Sequence, residues 1–129
     1  TFHSLCFADS INKEDEWPPT SAAYNSSTAQ KGFEETDKKL NEVYRKIMSN
    51  SLVNTSDKTG KKLILESQRA WIKFRDKNCE MYGEIKGGVP GWKYAYAMQC
   101  KEEMTKERIK DLEFLLDDAT TTPNKRMQN

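Results

Sequence analysis

Apolar side chains recur at steps of three and four residues in three long stretches of this chain. Such steps place the side chains on one face of an α-helix, so they predict amphipathic helices over about 28–49, 57–82 and 92–118. No stretch shows the clean apolar–polar alternation of a half-buried strand. The pattern therefore predicts an all-α fold, a small bundle of three main antiparallel helices.

Each predicted helix has one face that we expect to point into the bundle. In the first helix this face comprises Phe33, Leu40, Val43, Tyr44, Ile47 and Met48. In the second helix it comprises Leu63, Ser67, Ala70, Trp71, Phe74, Asn78 and Tyr82. In the third helix it comprises Ala97, Cys100 or Lys101, Met104, Arg108, Leu112, Leu115 and Leu116.

Proline and glycine mark the boundaries between these units. Residues 9–27 form a polar N-terminal segment in which two adjacent prolines exclude a continuous helix. A loop over 83–92, which contains several glycines, separates the second helix from the third. We therefore expect one helical domain over 28–118 and a flexible tail over 119–129.

The first residues resemble the end of a secretory signal peptide. Leu5 and Phe7 would close its apolar region, and Ala8 would stand just before a cut ahead of Asp9. On this interpretation residues 1–8 are a remnant of the signal, and the protein is exported to the periplasm or cell envelope. The alternative is an ordinary N-terminal segment whose apolar residues pack on the domain.

The chain contains three cysteines, Cys6, Cys79 and Cys100. If Cys6 leaves with the signal peptide, the other two form an even pair, which favours a disulfide in a small exported domain. The alternative is two buried free thiols in a cytosolic protein. A zinc site is not expected, because two cysteines without histidine partners fall short of four ligands.

Length and composition argue against several classes of function. The 129 residues are enough for one domain, and the only histidine is His3, so no Ser-His-Asp set is expected. There is no glycine-rich phosphate loop between a strand and a helix. We therefore expect no enzyme, no cofactor and no metal. No apolar run approaches the ~20 residues of a membrane span.

Charge is balanced overall but uneven along the chain. The net charge is +1, while residues 43–82 carry nine basic and four acidic residues. This excess is typical either of a surface for an acidic partner or of a solvated helix face. Nucleic-acid binding is not expected, because the basic residues of the second helix do not share one face. Those residues are Lys61, Lys62, Arg69, Lys73 and Lys77.

The most distinctive stretch covers residues 65–79. In it, Arg75 follows Trp71 by one helical turn, so both side chains lie on one side of the helix. There the guanidinium could stack on an aromatic ring or pair with an acid of the first helix. Asp37 and Glu42 are the candidate acids.

This stretch resembles the signature of the LprI-type lysozyme inhibitor domains, a family of small exported bacterial helical domains. The family pattern has a Leu-Asn-x-x-Tyr motif in the first helix and a Ser-Gln-Arg-x-Trp-x-x-Phe-Arg run in the second. The matching residues here are Asp37, Leu40, Asn41, Tyr44, Ser67, Gln68, Arg69, Trp71, Phe74 and Arg75.

The resemblance covers roughly residues 24–116. It implies an all-helical fold, an envelope location and a disulfide between Cys79 and Cys100 that pins the loop between the second and third helices. For some members it also implies inhibition of lysozyme. Family members often carry a second cysteine pair, but Ser27 replaces one of its members here, so Cys6 has no partner.

The resemblance therefore implies a protein-binding module that inhibits lysozyme or a related cell-wall hydrolase by occluding its cleft. The loop supplies the candidate contact residues, which are Lys86, Val89, Trp92 and Lys93. A lysine could pair with a catalytic carboxylate, and the tryptophan could occupy a sugar subsite. Alternatively, the loop is only a helix–helix linker whose tryptophan packs on the bundle, and the acidic patch over 34–42 is the contact surface.

A second function fits the same fold. An envelope interaction, structural or immunity-type protein could use these helices and this disulfide for another protein partner, with no lysozyme inhibition. Nothing in the amino-acid sequence separates the two functions.

Overall fold

The computed structural model describes residues 17–51, 53 and 56–120, and these residues form three α-helices. They are α1 (Ala22–Met48), α2 (Thr59–Lys86) and α3 (Pro90–Thr120). The predicted all-α fold of three helices is confirmed. The predicted signal remnant and most of the predicted tail lie outside the described residues.

All three helices extend beyond their predicted limits. The first begins at Ala22 instead of about residue 28, because Ser21 caps it: its Oγ accepts a hydrogen bond from the N–H of Tyr24 at 3.1 Å. The second continues through Gly83 to Lys86. The third starts at Pro90, a favourable first position because its missing N–H has no helical partner there.

The central element is α3, which packs against α1 on one side and α2 on the other, while α1 and α2 hardly approach each other. Ser26 donates to the carbonyl oxygen of Gly91 at 2.6 Å, and further along Leu40 packs near Leu112. Residue numbers thus rise together along α1 and α3, so these helices are parallel and α2 is antiparallel to both. Because α3 is covered on two sides, its buried residues extend beyond the single predicted face; they are Ala95, Met98, Thr105 and Leu112.

A small apolar core fills the end of the bundle where α1 and α3 finish. Leu40, Val43 and Ile47 of α1 are buried there with Val53 of the connection and Leu112 of α3. Burying side chains of this size stabilises the fold by about 1.5–3 kcal/mol each. Three residues of the predicted inward face of α1, Leu40, Val43 and Ile47, are therefore confirmed as buried.

The predicted inward face of α2 is wrong. Leu63, Phe74 and Tyr82 are exposed, and the helix instead buries a set with only one apolar member. That set is Gln68, Arg75, Cys79 and Gly83. At 3.6 residues per turn, the observed inward face is rotated by roughly 110° from the predicted one.

Two contacts with α3 fix this rotation. Cys79 is joined to Cys100 by a disulfide with a Cα–Cα distance of 5.4 Å, so the two cysteines are paired and are not free thiols. One turn later, a Cβ atom on Gly83 would lie 2.5 Å from the carbonyl oxygen of Lys93. Only glycine permits this approach of the two backbones, so residues 79 and 83 must both face α3.

Candidate functional site

The connection between α2 and α3 is a tight turn of three residues. Gly87 and Gly88 have φ angles of 71° and 96°, which favour glycine strongly. The N–H of Gly87 donates to the carbonyl oxygen of Gly83 at 3.1 Å and closes α2. The carbonyl oxygen of Val89 accepts from Trp92 and begins α3. We call residues 85–93 the hairpin tip.

Three contacts hold the hairpin tip against the bundle. The disulfide lies about two turns below it, and the backbones cross closely at Gly83. On the α1 side, a Cβ atom on Gly91 would lie 3.0 Å from the Cβ of Ala22, and Ser26 bonds the Gly91 carbonyl. The predicted loop over 83–92 is therefore shorter and more rigid than a flexible linker would be.

The four predicted contact residues differ in how they meet solvent. Val89 is 59% exposed, and Lys86 is exposed with its ammonium nitrogen 5.1 Å from the centre of the Tyr96 ring. Trp92 is half-buried, with its ring centroid 6.0 Å from that of Tyr96. Lys93 donates to a carboxylate oxygen of Glu84 at 2.9 Å. The side chain of Val89 is thus presented outward. Lys86 is exposed but contacts the Tyr96 ring, and Trp92 and Lys93 are also partly engaged within the chain.

Ile85 was missed in the sequence analysis. It is 75% exposed, one helical turn before Val89 in the chain, and adds a second apolar side chain to the hairpin tip. The signal was present in the sequence, but the predicted second helix ended at residue 82, so Ile85 fell in the loop. Two apolar side chains and an ammonium group at a rigid end suit contact with another protein.

The most ordered polar cluster lies deeper, around Arg75. Its side chain is 6% exposed, and its Nη1 donates to Asp37 Oδ1 at 2.9 Å and to Thr105 Oγ1 at 3.3 Å. Its Nε donates to Asp76 Oδ1 at 3.0 Å. Of the two predicted acidic partners, Asp37 makes the ion pair and Glu42 is exposed. The guanidinium therefore links α1, α2 and α3, although α1 and α2 hardly contact each other directly.

Aromatic rings complete this cluster. The guanidinium carbon of Arg75 lies 4.9 Å from the centre of the Phe33 ring and 5.1 Å from that of Trp71. Lys101 approaches the same Phe33 ring at 5.6 Å, and Arg108 approaches Trp71 at 5.6 Å. Cations and rings thus alternate in one chain of contacts across the bundle, each worth about 0.5–2 kcal/mol.

The far end of this chain explains two further motif residues. Arg108 donates from Nε to Gln68 Oε1 at 3.0 Å and from Nη2 to Ser67 Oγ at 3.3 Å. Partial burial lowers the pKa of the Arg108 guanidinium below its usual value. The two acceptors on α2 replace part of the hydration that burial removes.

The structure divides the motif residues into three sets. Asp37, Ser67, Gln68, Trp71 and Arg75 join the polar cluster. Leu40 belongs to the apolar core, and Tyr44 is half-buried. Asn41, Arg69 and Phe74 face solvent. The cluster is thus a structural centre that orients the three helices.

The acidic patch on α1 is weaker than its sequence suggests. Glu34, Glu35 and Glu42 are exposed, but Lys38 and Lys39 are interleaved with them and are exposed too. Since opposite charges at neighbouring helical positions offset each other, this surface offers little net negative potential to a basic partner.

The described part of the chain contains neither a grouping of metal ligands nor a membrane-spanning helix. Over residues 17–51, 53 and 56–120, no three histidine, cysteine or acidic side chains are grouped closely enough to hold a metal ion. None of the three helices is long and apolar enough to cross a membrane.

Comparison with known proteins gives one match. The family model described as "Lysozyme inhibitor LprI" matches residues 18–112, which is most of the chain and includes the polar cluster, the disulfide and the hairpin tip. No curated protein and no solved structure matches the chain significantly.

Proposed function

Because this chain belongs to the LprI lysozyme inhibitor family, we propose that it inhibits lysozyme or a related cell-wall hydrolase by placing its hairpin tip in the enzyme's cleft. The observation that carries this proposal is the tip itself, a rigid end in which the exposed side chain of Val89 follows two glycines. Gly87 and Gly88 carry no side chains, so the surface of a partner can approach the turn closely beside Val89.

The chemistry of the tip fits the chemistry of such enzymes. Glycoside hydrolases act with a pair of carboxyl groups that flank the scissile bond. The Lys86 ammonium provides a positive charge for one of these carboxylates, while Val89 and Ile85 provide apolar contact area. Rigidity matters as well, because a tip that is already ordered loses little conformational entropy on binding. The disulfide and the close approach at Gly83 supply that order.

We also propose that the protein works in the periplasm or cell envelope. A cell-wall hydrolase meets its inhibitor there, and a disulfide between α2 and α3 persists in an oxidising compartment.

The test is a lysis assay in which bacterial cell walls are cleared by a chicken-type lysozyme, followed by lysozymes of other classes. The unsubstituted protein should slow clearing by at least one of them. The double substitution Lys86→Glu with Val89→Asp should weaken inhibition by at least about tenfold, because central interface residues dominate binding energy.

A matched control is available on the opposite end of α3. Lys110 and Phe114 are also an exposed lysine and an exposed apolar residue, and they lie far from the hairpin tip. Lys110→Glu with Phe114→Asp should leave inhibition unchanged. Equal loss in both double variants would refute contact through the tip. Loss only on Glu34→Lys with Glu35→Lys would move the contact to α1, and no inhibition of any lysozyme would refute the proposal altogether.

A further inference from the structure

The outward face of α2 carries a row of apolar side chains that the fold does not use. Leu63, Phe74, Met81 and Ile85 are 57%, 61%, 53% and 75% exposed, and Ala70 is exposed between them. At 100° per residue these five positions fall within roughly 60° of one another on the helix. We call them the α2 row.

The α2 row has the pattern of a buried helix face. Its members are separated by seven, four, seven and four residues, and spacing of this kind lines up one side chain per turn or two turns along a seam. This is why the sequence pattern predicted an inward face here. The structure gives that role to Gln68, Arg75, Cys79 and Gly83, which lie on the opposite side of the helix. Large exposed apolar patches on soluble domains commonly mark sites of association.

The spacing of the α2 row indicates what covers it. Leu63 lies eleven residues before Phe74, and Ile85 lies eleven residues after it. A helix face with this symmetry complements itself when a second copy is placed antiparallel to it, since a twofold interface pairs residue i with j and j with i.

We propose that two copies of this chain associate through their α2 rows as an antiparallel twofold dimer with Phe74 at the axis. Leu63 of each copy then meets Ile85 of the other, and the two Phe74 rings meet each other. Met81, which is large, faces Ser67, which is small and exposed. The large Met81 side chain is thus placed opposite a small one, which favours close packing at that position.

The area is sufficient for such a dimer. Side chains of these sizes and exposures, together with Tyr82 at the edge of the row, present on the order of 600 Å² per copy. Two copies would bury on the order of 1,200 Å², the lower end of the range for specific interfaces. The hairpin tips would lie at opposite ends of the dimer, so the proposal does not depend on lysozyme inhibition. The two interactions share Ile85, whereas Lys86 and Val89 lie outside the α2 row.

The charged residues beside the α2 row give a second, independent expectation, a dependence of the dimer on salt concentration. Lys73 and Lys77 lie along one edge of the α2 row and are exposed. Lys77 is paired with Glu80 at 3.0 Å, so the two Lys73 ammonium groups supply most of the positive charge near the axis. Glu84 would approach Lys62 of the other copy further out. The repulsion near the axis should be screened by salt, and the dimer should therefore strengthen as ionic strength rises.

The test is sedimentation equilibrium of the full chain from about 1 to 500 µM, with a dissociation constant expected on the order of 10 µM near physiological salt. Phe74→Glu should abolish the dimer while leaving the circular dichroism spectrum and lysozyme inhibition unchanged. The control Phe114→Glu changes another exposed phenylalanine outside the α2 row and should leave the dimer intact. A monomer at every concentration would overturn the proposal. Residues 1–16, another protein or a lipid surface would then be the remaining candidates for covering the α2 row.

Cross-linking tests the orientation. Phe74→Cys should form a disulfide-linked dimer under mild oxidation, above any background that Cys6 gives in the unsubstituted chain. Leu63→Cys should not, because its two copies would lie about 33 Å apart in the antiparallel arrangement. Dimers linked at residue 63 and not at residue 74 would overturn the antiparallel pairing.

Discussion

Two glycines inside helices should respond in opposite ways to the same substitution. Gly83 in α2 and Gly32 in α1 both lie in helix interiors, where alanine is intrinsically better than glycine by about 1 kcal/mol. Local propensity alone therefore predicts that Gly83→Ala and Gly32→Ala both stabilise the protein. The structure predicts that only one of them does.

The difference lies in what the added methyl group would meet. At position 83 the new Cβ would lie 2.5 Å from the backbone carbonyl oxygen of Lys93 and 3.3 Å from the Cβ of Ala97. At position 32 it would lie 2.7 Å from a carboxylate oxygen of Glu102, at the end of a flexible side chain. That side chain can turn away, whereas the α3 backbone cannot move without shifting the helix.

These contacts set the magnitudes. Overpacking against a fixed backbone costs about 1–3 kcal/mol, so after the gain in helix propensity of about 1 kcal/mol, Gly83→Ala should be net destabilising, by up to about 2 kcal/mol. Gly32→Ala should stabilise by about 0.5–1 kcal/mol. Urea unfolding followed by circular dichroism measures both, with an unchanged slope as the check on two-state behaviour. If Gly83→Ala is as stable as Gly32→Ala, the close approach of α2 to α3 does not exist in solution.

Three further predictions concern the disulfide and the polar cluster. Replacing Cys79 and Cys100 together by serine should lower the free energy of unfolding by about 3 kcal/mol for their separation of 21 residues, and a reductant should reproduce this loss in urea titrations of the unsubstituted protein. Arg75→Met should cost about 1.5–3 kcal/mol in the same assay, because it removes the charged hydrogen bonds to Asp37, Asp76 and Thr105 at a buried position; a cost under about 1 kcal/mol would contradict the bridging role. Asp37→Asn should destabilise by about 1 kcal/mol and Glu42→Gln by nothing measurable, and equal effects would mean that Arg75 does not choose between them.

The apolar pattern predicted the first helix well and the second one badly, for a physical reason. In α1 the apolar residues Leu40, Val43 and Ile47 are also buried, because this helix packs against a single neighbour, α3. In α2 the strongest apolar periodicity runs along Leu63 and Phe74, which are exposed. Periodicity identifies the apolar face of a helix, but it does not show whether that face is buried by the same chain.

The residues that orient α2 were visible in the sequence but have no apolar signal. Cys79 and Gly83 act through a covalent bond and the absence of a side chain, and Arg75 acts as a buried cation. Asp37 and Glu42 were both candidate partners of Arg75, and the structure shows that Asp37 makes the ion pair. The hairpin tip was located correctly, but its length and the exposure of Ile85 depend on how far α2 continues, which local propensity does not determine.

The central position of α3 has a consequence for the order in which the chain can fold. Proteins are synthesised from the N-terminus, and here the first two helices hardly touch each other. Leu112 in the apolar core, Thr105 beside Arg75 and the second cysteine all belong to the last helix. Until α3 is complete, α1 and α2 have neither a shared core nor a covalent link. The three helices can therefore acquire their packing against one another only when α3 is present.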